Sequence, residues 1–179
     1  VGTPPSITID APLNGDVSND GTPISFGATV SDAQDQADNI SLEWVVNGNV
    51  ISTQGATSTG EALFTYGALS YGTYNLVVTA TDSDGLTDSD QVNFTINGLP
   101  SAPVVSINPN TPTTSDGLNV SIDGPSIDPE GVTPTYSYEW QLGGQAQTSY
   151  TSSSLPSSAT SKGEQWTVVV TPNDGIADG

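Results

Sequence analysis

Strict alternation is the feature that most constrains this chain. Between Thr73 and Thr81, Leu76, Val78 and Ala80 fall on one side and Val77, Thr79 and Thr81 on the other. Asp84-Gly85 follows directly. A period of two belongs to a half-buried strand, and Asp-Gly to a tight turn that closes a hairpin. Similar short runs recur near Ser6 to Asp10, Pro23 to Val30, Ile40 to Val46, Val50 to Thr53, Ala62 to Tyr66 and Gln91 to Ile96. Asn47-Gly48-Asn49 is a second turn signal. No segment combines helical periodicity with helix caps. The chain is expected to be all-β.

The second half repeats the first. Asp32 followed by Glu43-Trp44 returns as Asp128 followed by Glu139-Trp140, both displaced by 96 residues. Leu76, Val78 and Ala80 ahead of Asp84-Gly85 return as Trp166, Val168 and Val170 ahead of Asp174-Gly175, displaced by 90. Landmarks kept in one order indicate a tandem duplication. Seven short strands in about a hundred residues is the immunoglobulin-like pattern. We therefore expect two immunoglobulin-like β-sandwich domains, over residues 1–98 and 104–179, with a Pro-stiffened linker at 99–103. Thr3-Pro4-Pro5 reads as the tail of an equivalent linker, so a preceding domain is expected. In the second unit the counterpart of the last strand is missing after Asp174-Gly175. That absence is expected either from a longer parent polypeptide or from a strand donated by a neighbouring chain.

Composition removes most chemistries. The 179 residues carry one Lys or Arg against 20 Asp or Glu, for a net charge of −19, with no Cys and no His. One cation cannot neutralise a phosphate backbone, so nucleic acid is excluded as a partner. Insertion into a membrane is excluded too, because no run approaches the ~18 apolar residues of a span. Zinc, haem, disulfides and Ser–His or Cys–His nucleophiles all lack their residues. Oxygen ligands remain, and they suit calcium. Three Trp, six Tyr and many β-branched residues in alternating runs argue for an ordered fold over a disordered one.

Val78-Thr79-Ala80-Thr81-Asp82-Ser83-Asp84-Gly85 resembles the cadherin pattern of alternating Val, Ala and Asp before a turn. The whole chain resembles tandem PKD-like and cadherin-like immunoglobulin-fold repeats of large secreted or cell-surface prokaryotic proteins. That resemblance implies a calcium ligand at Asp82. It departs from the pattern at Pro172, which stands where the second Asp82 would fall. The cadherin Asp-Asn-Asp linker run is absent from Asn97 to Pro103, and the Gly-Asp-Gly that follows Trp in PKD domains is absent after Trp44.

In such a sandwich the B–C and F–G loops share one pole. The first unit would gather Asp32, Asp35 and Asp38 with Asp82, Asp84 and Asp88 there. The second would gather Asp128, Glu130, Asp174 and Asp178. Converging carboxylates repel unless a cation screens them, and flexible Asp-rich loops suit calcium. Topology would turn the second pole toward the base of the first unit, near Asp16 and Asp20, where a cation would stiffen the joint. The alternative is that these Asp residues simply form turns.

Trp44 and Trp140 read as core, Tyr74 as a tyrosine corner, and Lys162 as a loop residue. Asn39, Asn93 and Asn119 begin Asn-x-Ser/Thr sequons, candidates for glycosylation that a chain this rich in Ser and Thr also produces by chance. The expected function is a non-catalytic structural or adhesive module of an extracellular or cell-surface protein. Its partners would be neighbouring domains of the same polypeptide or copies of itself. A self-assembling filament or surface layer is the alternative, with an ancillary module of a secreted hydrolase further behind. A filament would use the unfinished second domain for strand donation.

Overall fold

The computed structural model describes residues 2–179. The chain divides into two compact units, one ending at Gly98 and one spanning Leu99–Gly179.

The first unit contains β1 (Ser6–Ala11), β2 (Val17–Asn19), β3 (Ile24–Ser31), β4 (Ser41–Val46), β5 (Asn49–Ser52), β6 (Glu61–Tyr66), β7 (Gly72–Thr81) and β8 (Thr87–Asn97). One sheet runs β1-β3-β6 and the other β2-β8-β7-β4-β5. The expected strands are present, and the reason is visible in burial. Ile7 and Ile9 of β1, Phe26, Ala28 and Val30 of β3, Leu42, Trp44 and Val46 of β4, and Leu76, Val78 and Ala80 of β7 are all buried. Each set is spaced by two, so each strand presents one apolar face to the other sheet.

Aromatic rings fill the centre. Trp44 is fully buried, meets Phe64 edge-on at 5.0 Å, and donates its indole N–H to the Gln54 carbonyl at 2.9 Å. Tyr74 stacks on Phe94 and donates its hydroxyl to the Ser70 carbonyl at 2.8 Å, four residues upstream. That contact is the expected tyrosine corner. Asn47 and Gly48 have φ of 47° and 79°, the pair of positive values that a two-residue hairpin turn between β4 and β5 requires.

Two features differ from the sequence reading. The short strand β2 pairs parallel to β8, Val17 with Thr95 through Asn19 with Asn97. No local alternation announces it, because its pairing is set by a strand almost eighty residues away. The final strand also begins at Thr87 rather than Gln91. Its first four residues are polar and read as loop, yet Thr87 to Asp90 continue the ladder against Val78 to Thr81.

The second unit has β9 (Val104–Asn108), β10 (Leu118–Gly124), β11 (Thr135–Leu142), β12 (Gln145–Ala146), β13 (Ser154–Leu155) and β14 (Trp166–Asn173). Its sheets run β13-β10-β9 and β12-β11-β14. Trp140 repeats Trp44, being fully buried with its indole N–H on the Ser152 carbonyl at 2.9 Å. The core is thinner: among the described residues its buried hydrophobic cluster holds Leu118, Trp140 and Leu155, against seventeen in the first unit's. Among the described residues, β14 pairs along its length only with β11. Residues 99–103, expected as linker, are tied into this unit. Ser101 donates its amide to the Ile127 carbonyl and accepts the Ile127 amide on its hydroxyl, both at 2.9 Å.

Candidate functional site

The loops meet at one pole of the first unit, as the fold requires. The loop after β3 carries Asp32, Gln34 and Asp35, and the β7–β8 turn carries Asp82, Ser83 and Asp84. Asp35 joins the two loops by accepting the Ser83 amide at 3.0 Å and the Ser83 hydroxyl at 2.8 Å. Gln34 accepts the Thr3 amide, and Asp84 accepts the Gly2 amide at 3.2 Å. The N-terminal segment is thereby fastened to the same pole.

Each of these carboxylates is occupied by nearby donors. Asp32 Oδ1 accepts the amides of Gln34 and Asp35, both at 2.7 Å. The Asp35 amide first, and then that of Gln34, holds the Asp32 carboxyl below its ordinary range. Asp82 is 8% exposed. Its Oδ1 accepts the Leu86 amide at 2.7 Å, while its own amide donates to the Leu86 carbonyl. It therefore pins the hairpin from inside. Such capture of local amides is the ordinary behaviour of Asp in turns. Asp38 sits exposed in a short 3-10 turn, Ala37–Asn39.

Asp88 lies elsewhere than expected. It stands in β8 rather than in the loop and accepts the Ile7 amide at 3.1 Å. Asp90, two residues on, accepts the Ile9 amide at 2.8 Å. These two carboxylates stitch the last strand to β1, the edge strand of the opposite sheet. Sequence reasoning passed over Asp90, whose only signal is its spacing of two from Asp88. The second unit cannot repeat the stitch at Pro103, the residue 96 positions after Ile7, because proline has no amide hydrogen.

In the second unit, Asp128 is 5% exposed. Its Oδ1 accepts the amides of Glu130 and Val132, both at 3.0 Å. Asp174 is buried, and its Oδ1 accepts those of Ile176 and Ala177, both at 2.7 Å. Asp178 accepts the Asn173 side-chain amide at 2.8 Å, and Glu130 is exposed. Among the described residues no group of three or more acidic side chains comes together as a metal-holding set.

Among the described residues, three buried side-chain oxygens nonetheless have no hydrogen-bond partner. They are Asp32 Oδ2, Asp128 Oδ2 and the Ser126 hydroxyl, and Ser126 is 6% exposed. Asp32 and Asp128 are counterparts, so both units bury one carboxylate oxygen at the same place. Ser126, which sequence reading did not single out, lies two residues before Asp128. A single Ser among so many carries no distinguishing signal.

The sequon residues are exposed, but two of them stand in strands, Asn93 in β8 and Asn119 in β10. Asn39 ends the 3-10 turn. Asn93 Oδ1 already accepts the Asn75 side-chain amide at 3.1 Å. Lys162 is exposed in the loop before β14. Glu164, where the first unit has Tyr74, accepts the Trp166 indole N–H at 3.0 Å.

No curated protein shows a significant sequence match. Solved structures similar to the chain include the fibronectin(III)-like modules of Clostridium thermocellum CbhA, 17% identical, with TM-score 0.45, covering 94% of this chain and 87% of that one. A PKD domain of an M14-like peptidase from a Thermoplasmatales archaeon is 20% identical, with TM-score 0.42, over 54% of this chain and 98% of that one. A solved chain from a study of host cell surface retention of a 1.5-MDa bacterial ice-binding adhesin is 16% identical, with TM-score 0.46, over 98% of this chain and 61% of that one. Residues 5–78 match the bacterial Ig domain family, and the chain is an immunoglobulin-like repeat module built from two all-β units.

Proposed function

We propose that this chain is a non-catalytic, semi-rigid stalk segment of a large extracellular surface protein, stiffened by calcium. The observation that carries the reading is repetition. Two units keep the same landmarks, and each closes around its own buried tryptophan, as suits a string of folded spacers. The parallel pairing of β2 with β8 supports it further. These neighbouring strands are about eighty residues apart in sequence and run parallel, so tension between the ends of the chain loads their hydrogen bonds in shear, all together. The net charge of −19 keeps such a surface hydrated and apart from its copies. Among the described residues no helix is long and apolar enough to cross a membrane.

Calcium is supported by the unpartnered oxygens. A buried polar atom without a hydrogen bond costs about 1–3 kcal/mol, and more when charged. A hard cation with a taste for carboxylate, hydroxyl and carbonyl oxygen removes that cost. Asp128 Oδ2 and the Ser126 hydroxyl would serve in the second unit and Asp32 Oδ2 in the first.

The test is a thermal melt in calcium, in magnesium and in EDTA at matched ionic strength. At calcium a hundredfold above its dissociation constant, linkage adds about 2.7 kcal/mol. For units of this size the midpoint should rise by roughly ten degrees or more. Asp128→Asn keeps the Oδ1 acceptor that holds the loop but removes the charge, and should abolish the second unit's rise. Coincident curves in all three solutions would reject calcium and leave these loops as turn chemistry alone.

A further inference from the structure

We propose that the second unit is the stronger calcium binder and holds its ion in a polar pocket opened in the core of the repeat by Ser126, Asp128 and Tyr136. This rests on the calcium reading and adds which residues build the site and which unit fills first. Ser126 stands 96 positions after Val30 and Tyr136 stands 96 positions after Ile40, the displacement that relates Trp44 to Trp140. Val30 and Ile40 are each 2% exposed and belong to the first unit's hydrophobic cluster. At two places where the first unit packs hydrocarbon, the second therefore carries hydroxyl groups. A hydroxyl buried in place of hydrocarbon costs free energy unless something pairs with it.

The frame around these groups is fixed. Tyr136 of β11 accepts the Ser126 amide on its hydroxyl at 2.8 Å, whereas in the first unit the Val30 amide goes to the Gly60 carbonyl. Ile127 is tied to Ser101 through both its amide and its carbonyl. Asp128 Oδ1 is taken by the amides of Glu130 and Val132. Ile127 is 73% exposed, while Ser126 and Asp128 on either side of it are 6% and 5% exposed. Alternation thus carries the Ser126 hydroxyl and Asp128 Oδ2 to the same inner side. The two do not bond to each other, and neither has another hydrogen-bond partner among the described residues. A shared ion accounts for that. Two oxygens each about 2.4 Å from one calcium stand farther apart than a hydrogen bond brings them.

The first unit offers less at the same place. Asp32 Oδ2 is bare too, but Asp32 is only part-buried and Val30 beside it supplies no oxygen. Asp32 lies in an open hollow that it shares with Asp35, Ser58 and Thr59. An ion there keeps more of its water, and its attraction to the carboxylate is weakened by the nearby solvent. Counting carboxylates along the sequence suggests the reverse order of the two sites. Burial and the exchange of two core residues decide it instead.

Calorimetric titration of the 179-residue chain with calcium chloride tests this. Two binding events are expected. The tighter should weaken by about tenfold or more in Ser126→Ala, which removes the hydroxyl alone, and in Tyr136→Phe, which releases the Ser126 amide. Asp32→Asn should remove the weaker event and leave the tighter one unchanged. Ser126→Val restores the first unit's residue, and its effects should have opposite signs. The second unit should melt higher than wild type in EDTA, because the bare hydroxyl is gone, yet gain nothing from calcium. A merely structural role for Ser126 would move both conditions together. No binding of calcium by the wild-type chain would remove the calcium reading and this site with it. Calcium binding that Ser126→Ala and Ser126→Val leave intact, or a tighter event lost in Asp32→Asn, would overturn this assignment and leave the calcium reading standing.

Discussion

Trp140→Ala should leave the second unit unfolded at 25 °C while the first unit keeps its cooperative transition. Truncating a buried Trp to Ala costs about 3–5 kcal/mol. Whole domains are stable by only about 5–15 kcal/mol, and small ones sit at the lower end. Trp140 is the largest of the three buried residues in its unit's hydrophobic cluster, so little is left to hold the sheets together. The indole also satisfies the Ser152 carbonyl, which loses its donor. Trp44→Ala makes the same change in a cluster of seventeen buried hydrophobic residues. It should lower the first unit's midpoint by more than about ten degrees without abolishing its fold. Residue-resolved amide exchange reads both units in one sample. If either substitution strips protection from both units together, the units are one cooperative body and the repeat account fails.

The second large effect is expected at Gly60. Its φ is +92°, a region that L side chains rarely adopt, and a Cβ there would collide with the Val30 carbonyl oxygen. The neighbour cannot give way, because the Val30 amide is bonded to the Gly60 carbonyl at 2.9 Å at the point where β3 leaves β6. Gly60→Ala therefore combines left-handed strain of about 1–2 kcal/mol with overpacking of about 1–3 kcal/mol. Its sum should lower the first unit's midpoint by roughly ten degrees or more. Gly15→Ala separates the two terms. Gly15 has φ of +89° and open space around its Cβ position, so only the backbone term applies. Equal melting of the two variants would show that β3 shifts to admit the methyl group.

What could be read in advance follows from how far each feature reaches along the chain. Val78 and Trp44 announce their strands because burial on one face writes a period of two into neighbouring residues. Asn47-Gly48 announces its turn because both residues must take positive φ. The shared pole was legible as well, and Asp35 does reach Ser83 from the facing loop. The fate of single carboxylates was not. Asp88 looks like a loop residue beside Asp82 and Asp84, yet its partner is the Ile7 amide, 81 residues away. Strand β2 was invisible for the same reason, since Val17-Ser18-Asn19 has no pattern of its own. Asp32 and Asp128 were marked by the repeat, but the sequence does not reveal that one oxygen of each is used and the other left bare.

The most direct test of the stalk account is to pull the chain by its two ends in a single-molecule instrument. The account predicts two separate unfolding steps that release lengths on the order of 300 Å each, set by about 3.5 Å per residue in each unit. It also predicts that the first unit, with β2 and β8 loaded in shear, yields at the higher force. A single step that releases the whole chain at once, or a first unit that gives way before the second, would contradict it.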